Sequence, residues 1–263
     1  MHLFVGNRTS FLKPYYEDKR DICCVVTKAN SRIDEYCQQN SIETKYFTDR
    51  NSLLTLIENL SFEVLLSAGC PYVLPRQITE QRHRKFINIH PSLLPKYPGM
   101  HSITEALYKD GPFGVTIHTM EEKVDNGLII AQSEFEVLPS WTAKEIFGVF
   151  FDQEEKLVKQ SLLDGKLDFK NYSTMRTFPL IQDANRFKRD DNFRRIEPWM
   201  TINEIAKRVA ILNVENQHAF IQVAGKKRFI QDVFLGLNTS SGLISDQVVT
   251  FGAKDGVIGL VFL

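Results

Sequence analysis

The sequence predicts an α/β fold: a Rossmann-like, mostly parallel sheet with helices on both faces, followed by a small C-terminal appendage of one helix and antiparallel hairpins. Three observations carry that expectation. Short apolar runs bounded by turn residues recur through the first half, at 2–6, 22–26, 44–47, 63–69 and 86–90. Stretches with helical periodicity at 32–39, 50–60 and 75–84 separate them, which is the alternation of βαβ units and implies a doubly wound parallel sheet. Late in the chain the apolar runs come in closely spaced pairs instead, HAFIQV with RFIQDVFLGL and QVVTFGA with GVIGLVFL, a pattern that hairpins satisfy.

Taken in order, HLFVG, ICCVV, TKYF, EVLLSAG and FINIH are the buried strands of the sheet, and GVTIHT at 114–119 is a further one. The longest helix spans 141–163, with Thr142 as its N-cap, Glu145 at the capping-box position and Ile146, Val149, Phe150, Leu157, Leu162 and Leu163 as its apolar face. After Asp164 and Gly165 the composition turns polar and basic through NRFKRDDNFRR, a connector in character. A domain boundary near residue 170 follows, giving a larger domain at 1–170 and a small subdomain at 171–263. In the latter, 201–212 reads as a short amphipathic helix, and 224–227 and 253–256 as the turns of two hairpins.

Composition narrows the function classes. Lys plus Arg equals Asp plus Glu at 32 each, so no global charge favours nucleic acid or an anionic membrane. The four cysteines form no CxxC pair, the chain opens on an apolar run without a charged leader, and no apolar run approaches the roughly 20 residues of a membrane span. A reduced, cytoplasmic protein is expected. No histidine or cysteine set has metal-ligand spacing, so no metal is expected.

Polar residues converge on residues 86–127. Asn88 and His90 stand two apart at a strand end and share a face, where they can aim at one bound atom. An amide donor and an imidazole suit stabilisation of an oxyanion and proton transfer, and Asp125 can support the charged imidazole. The residue types alone leave a second reading open: a satisfied structural pair at a strand end, with Asp125-Asn126-Gly127 as a tight turn. Of the other histidines, His2 and His83 read as surface residues, His101 as a helix cap, His218 as the start of a hairpin strand, and His118 as either core or a partner of the polar set.

The segment NIHPSLLPKYPG, followed by GVTIHTMEEKVDNGLIIAQ, resembles the folate-dependent formyltransferase family, whose signature is Asn-x-His, then Ser-Leu-Leu-Pro, then a downstream Asp-x-Gly. The resemblance is good over about 63–136, weaker upstream and faint after 180. It implies that 1–170 is a formyltransferase catalytic domain with Asn88, His90 and Asp125 as the catalytic trio. It implies N10-formyltetrahydrofolate as a consumed co-substrate, with Gly69, Pro71, Tyr72, Val73 and Leu74 around the folate and Glu121, Glu122, Lys123 and Val124 closing the other side through backbone groups.

Departures from the family pattern bear on the acceptor amine. Purine-pathway members carry a glycine-rich phosphate loop after the first strand, where this chain has FVGNRTSFL with only Gly6 and Asn7 in place of it. Members acting on initiator methionyl-tRNA have a longer first loop and a larger basic C-terminal domain. The resemblance is therefore greatest to enzymes that formylate nucleotide-linked amino sugars for surface polysaccharides such as O-antigen. It implies dTDP-4-amino-4,6-dideoxyglucose as acceptor, then a dTDP-3-amino-3,6-dideoxyhexose, then glycinamide ribonucleotide or methionyl-tRNA, with a non-catalytic folate-binding protein as the alternative class. FKRDDNFRRI would supply Lys188, Arg189, Arg194 or Arg195 to the pyrophosphate, with Phe187, Phe193 or Trp199 stacking on the base; the same segment can equally be a solvated charge run. A homodimer is expected, with no nucleic-acid or membrane partner.

Overall fold

A computed structural model describes the chain except residues 82, 122, 139, 140, 169–186, 188, 215, 216 and 236–246. The expected boundary near 170 lies outside the described residues, as do Glu122 and Lys188. The chain divides into two compact units: Met1–Met100, Pro112–Phe135 and Val149–Asn185 form the first, and His101–Gly111, Glu136–Gly148 and Arg186–Leu263 the second.

The first unit is built on a seven-stranded sheet: β1 (His2–Gly6), β2 (Ile22–Thr27), β3 (Thr44–Tyr46), β4 (Val64–Ala68), β5 (Lys85–His90), β6 (Phe113–Thr119) and β7 (Ile129–Phe135), ordered β3-β2-β1-β4-β5-β6-β7. The pairs among β1 to β5 are parallel, while β5 with β6 and β6 with β7 are antiparallel. The mostly parallel sheet is as the sequence predicts; β7, with its polar Gln132, Ser133 and Glu134, carries no strand signal strong enough to be read. Side-chain alternation sorts the core into two faces. Leu3 and Val5 join Cys24, Val26 and Leu65 beneath Leu53 and Ile57 of helix α3 (Arg50–Asn59). Phe4, on the other side of β1, packs edge-on against Phe11 of helix α1 (Thr9–Glu17), which in turn meets Tyr15.

Helix α1 has no sequence signal because its N-cap, Arg8, makes no side-chain cap bond and Pro14 sits inside it. Burial of Phe11, Leu12 and Tyr15 outweighs the missing amide. His2 is correspondingly not a free surface residue: its Nδ1 lies 2.9 Å from the Tyr15 hydroxyl, and burial pulls the imidazole below its ordinary range. Helix α2 (Arg32–Gln39) forms as expected, capped by Ser31. The expected helix at 75–84 shrinks to one turn, α4 (Arg76–Thr79), with Ile78 its buried residue.

In the second unit lies helix α5 (Ser102–Tyr108), where His101 is the N-cap residue but its side chain makes no cap bond. The long helix α6 (Ala143–Leu163), which belongs to the second unit up to Gly148 and to the first from Val149, starts at the Thr142–Glu145 capping box, in which Thr142 N and Oγ1 donate to Glu145 Oε2 at 2.7 and 2.8 Å. The connector contains one turn, α7 (Asp191–Arg194), and α8 (Ile202–Leu212) begins at a second capping box, Thr201 with Glu204. Strands β8 (Phe220–Val223), β9 (Lys226–Phe234), β10 (Val248–Ala253) and β11 (Gly256–Phe262) form an antiparallel sheet ordered β10-β11-β9-β8. The first hairpin turns on two residues, Ala224 and Gly225, both with positive φ. His218 precedes β8 rather than opening it.

Candidate active site

Strand β5 delivers Phe86, Asn88 and His90 to one face. Beyond it the Ser-Leu-Leu-Pro loop is held from below by one hydroxyl. Thr116 Oγ1 on β6 donates to the Ser92 carbonyl at 2.7 Å and accepts from Leu94 N at 3.1 Å and from Gln132 Nε2 at 2.9 Å, while Gln132 also reaches Leu94 O at 2.6 Å. Every lone pair and proton of that buried hydroxyl is used, so the loop has one arrangement. Ser92 Oγ then donates to Lys96 O at 2.7 Å, closing the turn that carries Tyr97 back over the strand end.

The antiparallel register sets Asn88 opposite His118 and Ile87 opposite Thr119. The loop after β6 then folds back so that Asp125 joins His90: Asp125 Oδ1 lies 3.5 Å from His90 Nδ1 and 3.8 Å from His118 Nε2, and Oδ2 accepts from Gly99 N at 2.6 Å. Asp125 adopts φ +60, a left-handed conformation that aspartate tolerates. Gly127, two residues on, is required by close approach: a Cβ there would sit 1.8 Å from the Thr119 carbonyl oxygen. The Asp-x-Gly motif is thus a turn and a carboxylate-delivery device at once.

The hydrogen-bond partners fix the imidazoles. His118 Nδ1 faces the Thr119 carbonyl at 2.7 Å, an acceptor, so Nδ1 carries the proton and Nε2 is bare. The Asn88 amide 3.2 Å from Nε2 must therefore present its NH2 group. Burial pushes the His118 imidazole down to about 4, against the attraction of Asp125, so the ring stays neutral at pH 7. His90 Nε2 faces the Tyr97 carbonyl at 3.1 Å and its Nδ1 faces Asp125, so both ring nitrogens occupy donor positions. His90 and His118 are buried, at 4% and 1% exposure. Sequence reasoning left His118 between two readings; here it is the partner that orients Asn88.

A cavity of about 640 Å³ is lined by Phe86, Met120 and Leu128 together with Thr79, Glu80, Arg84, Lys85, Thr119 and Glu121. Its lining lies at the start of β5 and in the loop after β6, and none of Asn88, His90 and Asp125 belongs to it. Among the expected folate residues, Glu121 lines it. Gly69 follows β4 with φ +68; Pro71 and Val73 are exposed; Tyr72 meets Phe47 edge-on at 5.9 Å; Leu74 is buried in the core beside Leu65 and Ile78. Lys123 is exposed and Val124 half-buried.

The expected acceptor residues divide between the units. Gly6 ends β1 with φ +141 and leaves no room for a Cβ, which would meet the Ala68 carbonyl oxygen at 1.9 Å; Asn7 is exposed and its N donates to Ala68 O at 3.0 Å. In the second unit Arg189 donates to Thr104 Oγ1 at 3.3 Å and to Gln217, and burial, then Arg194, lowers its guanidinium to about 10. Arg194 donates to the His218 carbonyl at 3.1 and 3.0 Å, and Arg195 pairs with Glu197. Phe193 packs edge-on against Phe187 at 4.8 Å and Tyr108 at 5.3 Å, and Trp199 is 67% exposed. Among the described residues no group of His, Cys, Asp and Glu could hold a metal, and no helix is long and apolar enough to cross a membrane.

Comparison with known proteins agrees with this architecture. The phosphoribosylglycinamide formyltransferase of Haemophilus influenzae is 31% identical over 119 residues, 44% of this chain and 56% of that protein, so the match spans little more than half of the relative's length. A 4-N formyltransferase from Francisella tularensis superposes with a TM-score of 0.70 at 19% identity, covering 87% of this chain and 95% of its own. An N-formyltransferase from Helicobacter canadensis, solved in complex with folinic acid and dTDP-3-aminofucose, gives 0.69 at 16% identity over 100% and 99%. At these identities the two structures speak for the fold. A family model described as formyl transferase matches residues 16–162, more than half of the sequence, and the chain belongs to that family.

Proposed function

We propose that this chain is an N-formyltransferase that moves the formyl group of N10-formyltetrahydrofolate to the amine of a nucleotide-linked amino sugar, with residues 1–170 as its catalytic domain and 171–263 as a small C-terminal subdomain. The observation that carries the reading is the meeting of Asn88, His90 and Asp125 at the end of β5 in a chain of this family. The bound folate supplies an activated formyl carbon.

Asn88, its amide turned by His118, directs an N–H at the formyl oxygen, and a protonated His90 beside it sets a positive charge against the negative charge that develops. Asp125, 3.5 Å from that imidazole, accepts, through water, the proton that the attacking amine loses as its C–N bond forms. The C–N10 bond breaks and the proton returns to N10. The folate contacts assigned to Gly69, Pro71, Tyr72, Val73, Leu74 and 121–124, and the acceptor contacts of Gly6, Asn7, Lys188, Arg189, Phe193 and Trp199, belong to the same proposal.

A dTDP-linked 4-amino-4,6-dideoxyglucose is the preferred acceptor, then the 3-amino isomer; the fold shared with the Helicobacter enzyme, solved with dTDP-3-aminofucose, supports the sugar-nucleotide class. Glycinamide ribonucleotide is the second reading, favoured by the Haemophilus relative and disfavoured by FVGNRTS in place of a glycine-rich phosphate loop. A cytoplasmic homodimer is part of the proposal, and sedimentation of the purified protein tests the dimer. The activity is tested by incubating the protein with N10-formyltetrahydrofolate and each of these amines, and with initiator methionyl-tRNA. Release of tetrahydrofolate with a dTDP-amino sugar alone is expected. Release without any amine would mean hydrolysis, and folate binding without turnover a non-catalytic role.

A further inference from the structure

The first unit contains a buried ion pair that the catalytic trio does not use. Arg8, the residue before α1, sends its guanidinium across the carboxyl ends of the central strands. Nη1 pairs with Glu154 on α6, Nη2 donates to the Ile89 carbonyl at 3.1 Å, and the guanidinium carbon stands 5.4 Å from the Phe150 ring centroid. Ser10 Oγ donates to the other Glu154 oxygen at 2.7 Å, so both carboxylate oxygens act as acceptors. The side chains are 12% and 0% exposed. Burial pushes the Glu154 carboxyl up, and Arg8 and Ser10 oppose that push.

Such a pair is a poor way to gain stability, because desolvating two charges roughly cancels their attraction and apolar replacements of similar volume are commonly as stable or more so. Its placement is informative. The β4–β5 ladder ends at Ala68 opposite Ile89, and Gly69 then turns away with φ +68, so on the β4 edge strand pairing stops at Ile89, while on the other edge β6 still pairs Thr116 with His90. Arg8 binds that carbonyl, and the carbonyl belongs to the peptide that joins Ile89 to His90. Ile89 itself separates Asn88 from His90. A turn of this one peptide plane would swing the imidazole away from Asp125 and Tyr97. Glu154 and Phe150 lie four residues apart, on one face of α6, and hold the guanidinium from two sides.

We propose that the Arg8–Glu154 pair is a positioning device for formyl transfer: it locks the Ile89–His90 peptide and so the direction of the His90 imidazole, without touching the formyl group. This rests on the catalytic assignment of His90 made above. The separation of geometry from stability comes from the double variant Arg8→Met/Glu154→Leu, which removes both charges and keeps the volume, alongside Arg8→Lys, which keeps the charge and loses the fork.

In steady-state assays with N10-formyltetrahydrofolate and the active amine, both variants are expected to lose about 10- to 100-fold in kcat, the scale of a misplaced catalytic group. KM for either substrate should stay within about twofold, and the double variant should melt at or above the wild-type temperature. The imidazole 15N resonances of His90, assigned by comparison with His90→Gln, should shift in the double variant. Unchanged kcat and unchanged His90 resonances would overturn the proposal. So would a kcat loss matched by loss of folded protein, or a large rise in the acceptor KM, which would make Arg8 an acceptor-binding residue. Should the wild-type protein transfer no formyl group to any amine, the functional reading fails, and the His90 resonances alone decide whether the pair positions the ring.

Discussion

The Asn88 amide donates one N–H to His118 Nε2 across 3.2 Å, and that bond fixes the amide's orientation and so the direction of its second N–H. The chain of reasons starts one atom further back, at the Thr119 carbonyl that takes the Nδ1 proton of His118 and leaves Nε2 bare. Replacing His118 by Phe fills the site but removes the acceptor, so the Asn88 amide loses its fixed orientation. A fall in kcat of about 10- to 1,000-fold, toward the loss of an oxyanion donor, is expected with a folded protein. Circular dichroism and the tetrahydrofolate-release assay check it.

The same histidine ties stability to pH. Its folded value, about 4, lies below the ordinary 6.5 because burial penalises the imidazolium, so the unfolded chain binds the proton more readily. The stabilisation of the neutral ring is whole above pH 6.5 and is lost as the pH falls toward 4, amounting to about 3 kcal/mol. Urea unfolding of the wild type and of His118→Phe from pH 7 to pH 4 should show a shallower acid loss in the variant.

Asp125→Asn separates the two duties of that residue. Asparagine tolerates the left-handed φ of +60 and its Oδ1 can still accept from Gly99 N, so the melting temperature should change by only a few degrees. The negative charge beside His90 is gone, and kcat should fall by about 10²- to 10⁴-fold. Retained activity would remove Asp125 from the trio.

Gly127→Ala tests the turn rather than the chemistry. The new Cβ would meet the Thr119 carbonyl oxygen at 1.8 Å, a backbone atom held by the Leu128 N–Thr119 Oγ1 and Thr119 N–Leu128 O bonds, so neither side can yield cheaply. A loss of at least about 2 kcal/mol is expected, read by thermal or denaturant unfolding.

Thr116→Val removes the hydroxyl that serves Ser92 O, Leu94 N and Gln132 Nε2 without changing shape. Leaving those buried groups unpaired should cost about 2–4 kcal/mol. Because the loop they hold carries Tyr97 to His90, kcat should fall with stability.

The features legible in the residues are those with local causes. Strand and helix positions follow from periodicity and turn residues; the shared face of Asn88 and His90 follows from strand geometry; the capping box at Thr142 follows from its spacing. Where local signals conflict, the reading fails: Pro14 hides α1, and the expected helix at 75–84 keeps one turn because Ile78 is its buried anchor. The resemblance in NIHPSLLPKYPG and the Asp-x-Gly segment directs attention to the right strand end, and the family match agrees with it.

By itself, then, the sequence determined the order of the first six strands and the strand end where polar residues gather, because both depend on neighbours a few positions apart. Only the tertiary structure decided which groups touch. His118 faces Asn88 because of the antiparallel β5–β6 register; Asp125 reaches Gly99 across 26 residues; Arg8 finds Glu154 across 146. Those meetings rest on long-range registry and on burial, which turns an ambiguous histidine into a neutral acceptor and an unremarked arginine into the partner of a carboxylate with no contact to water. No short-range pattern encodes them.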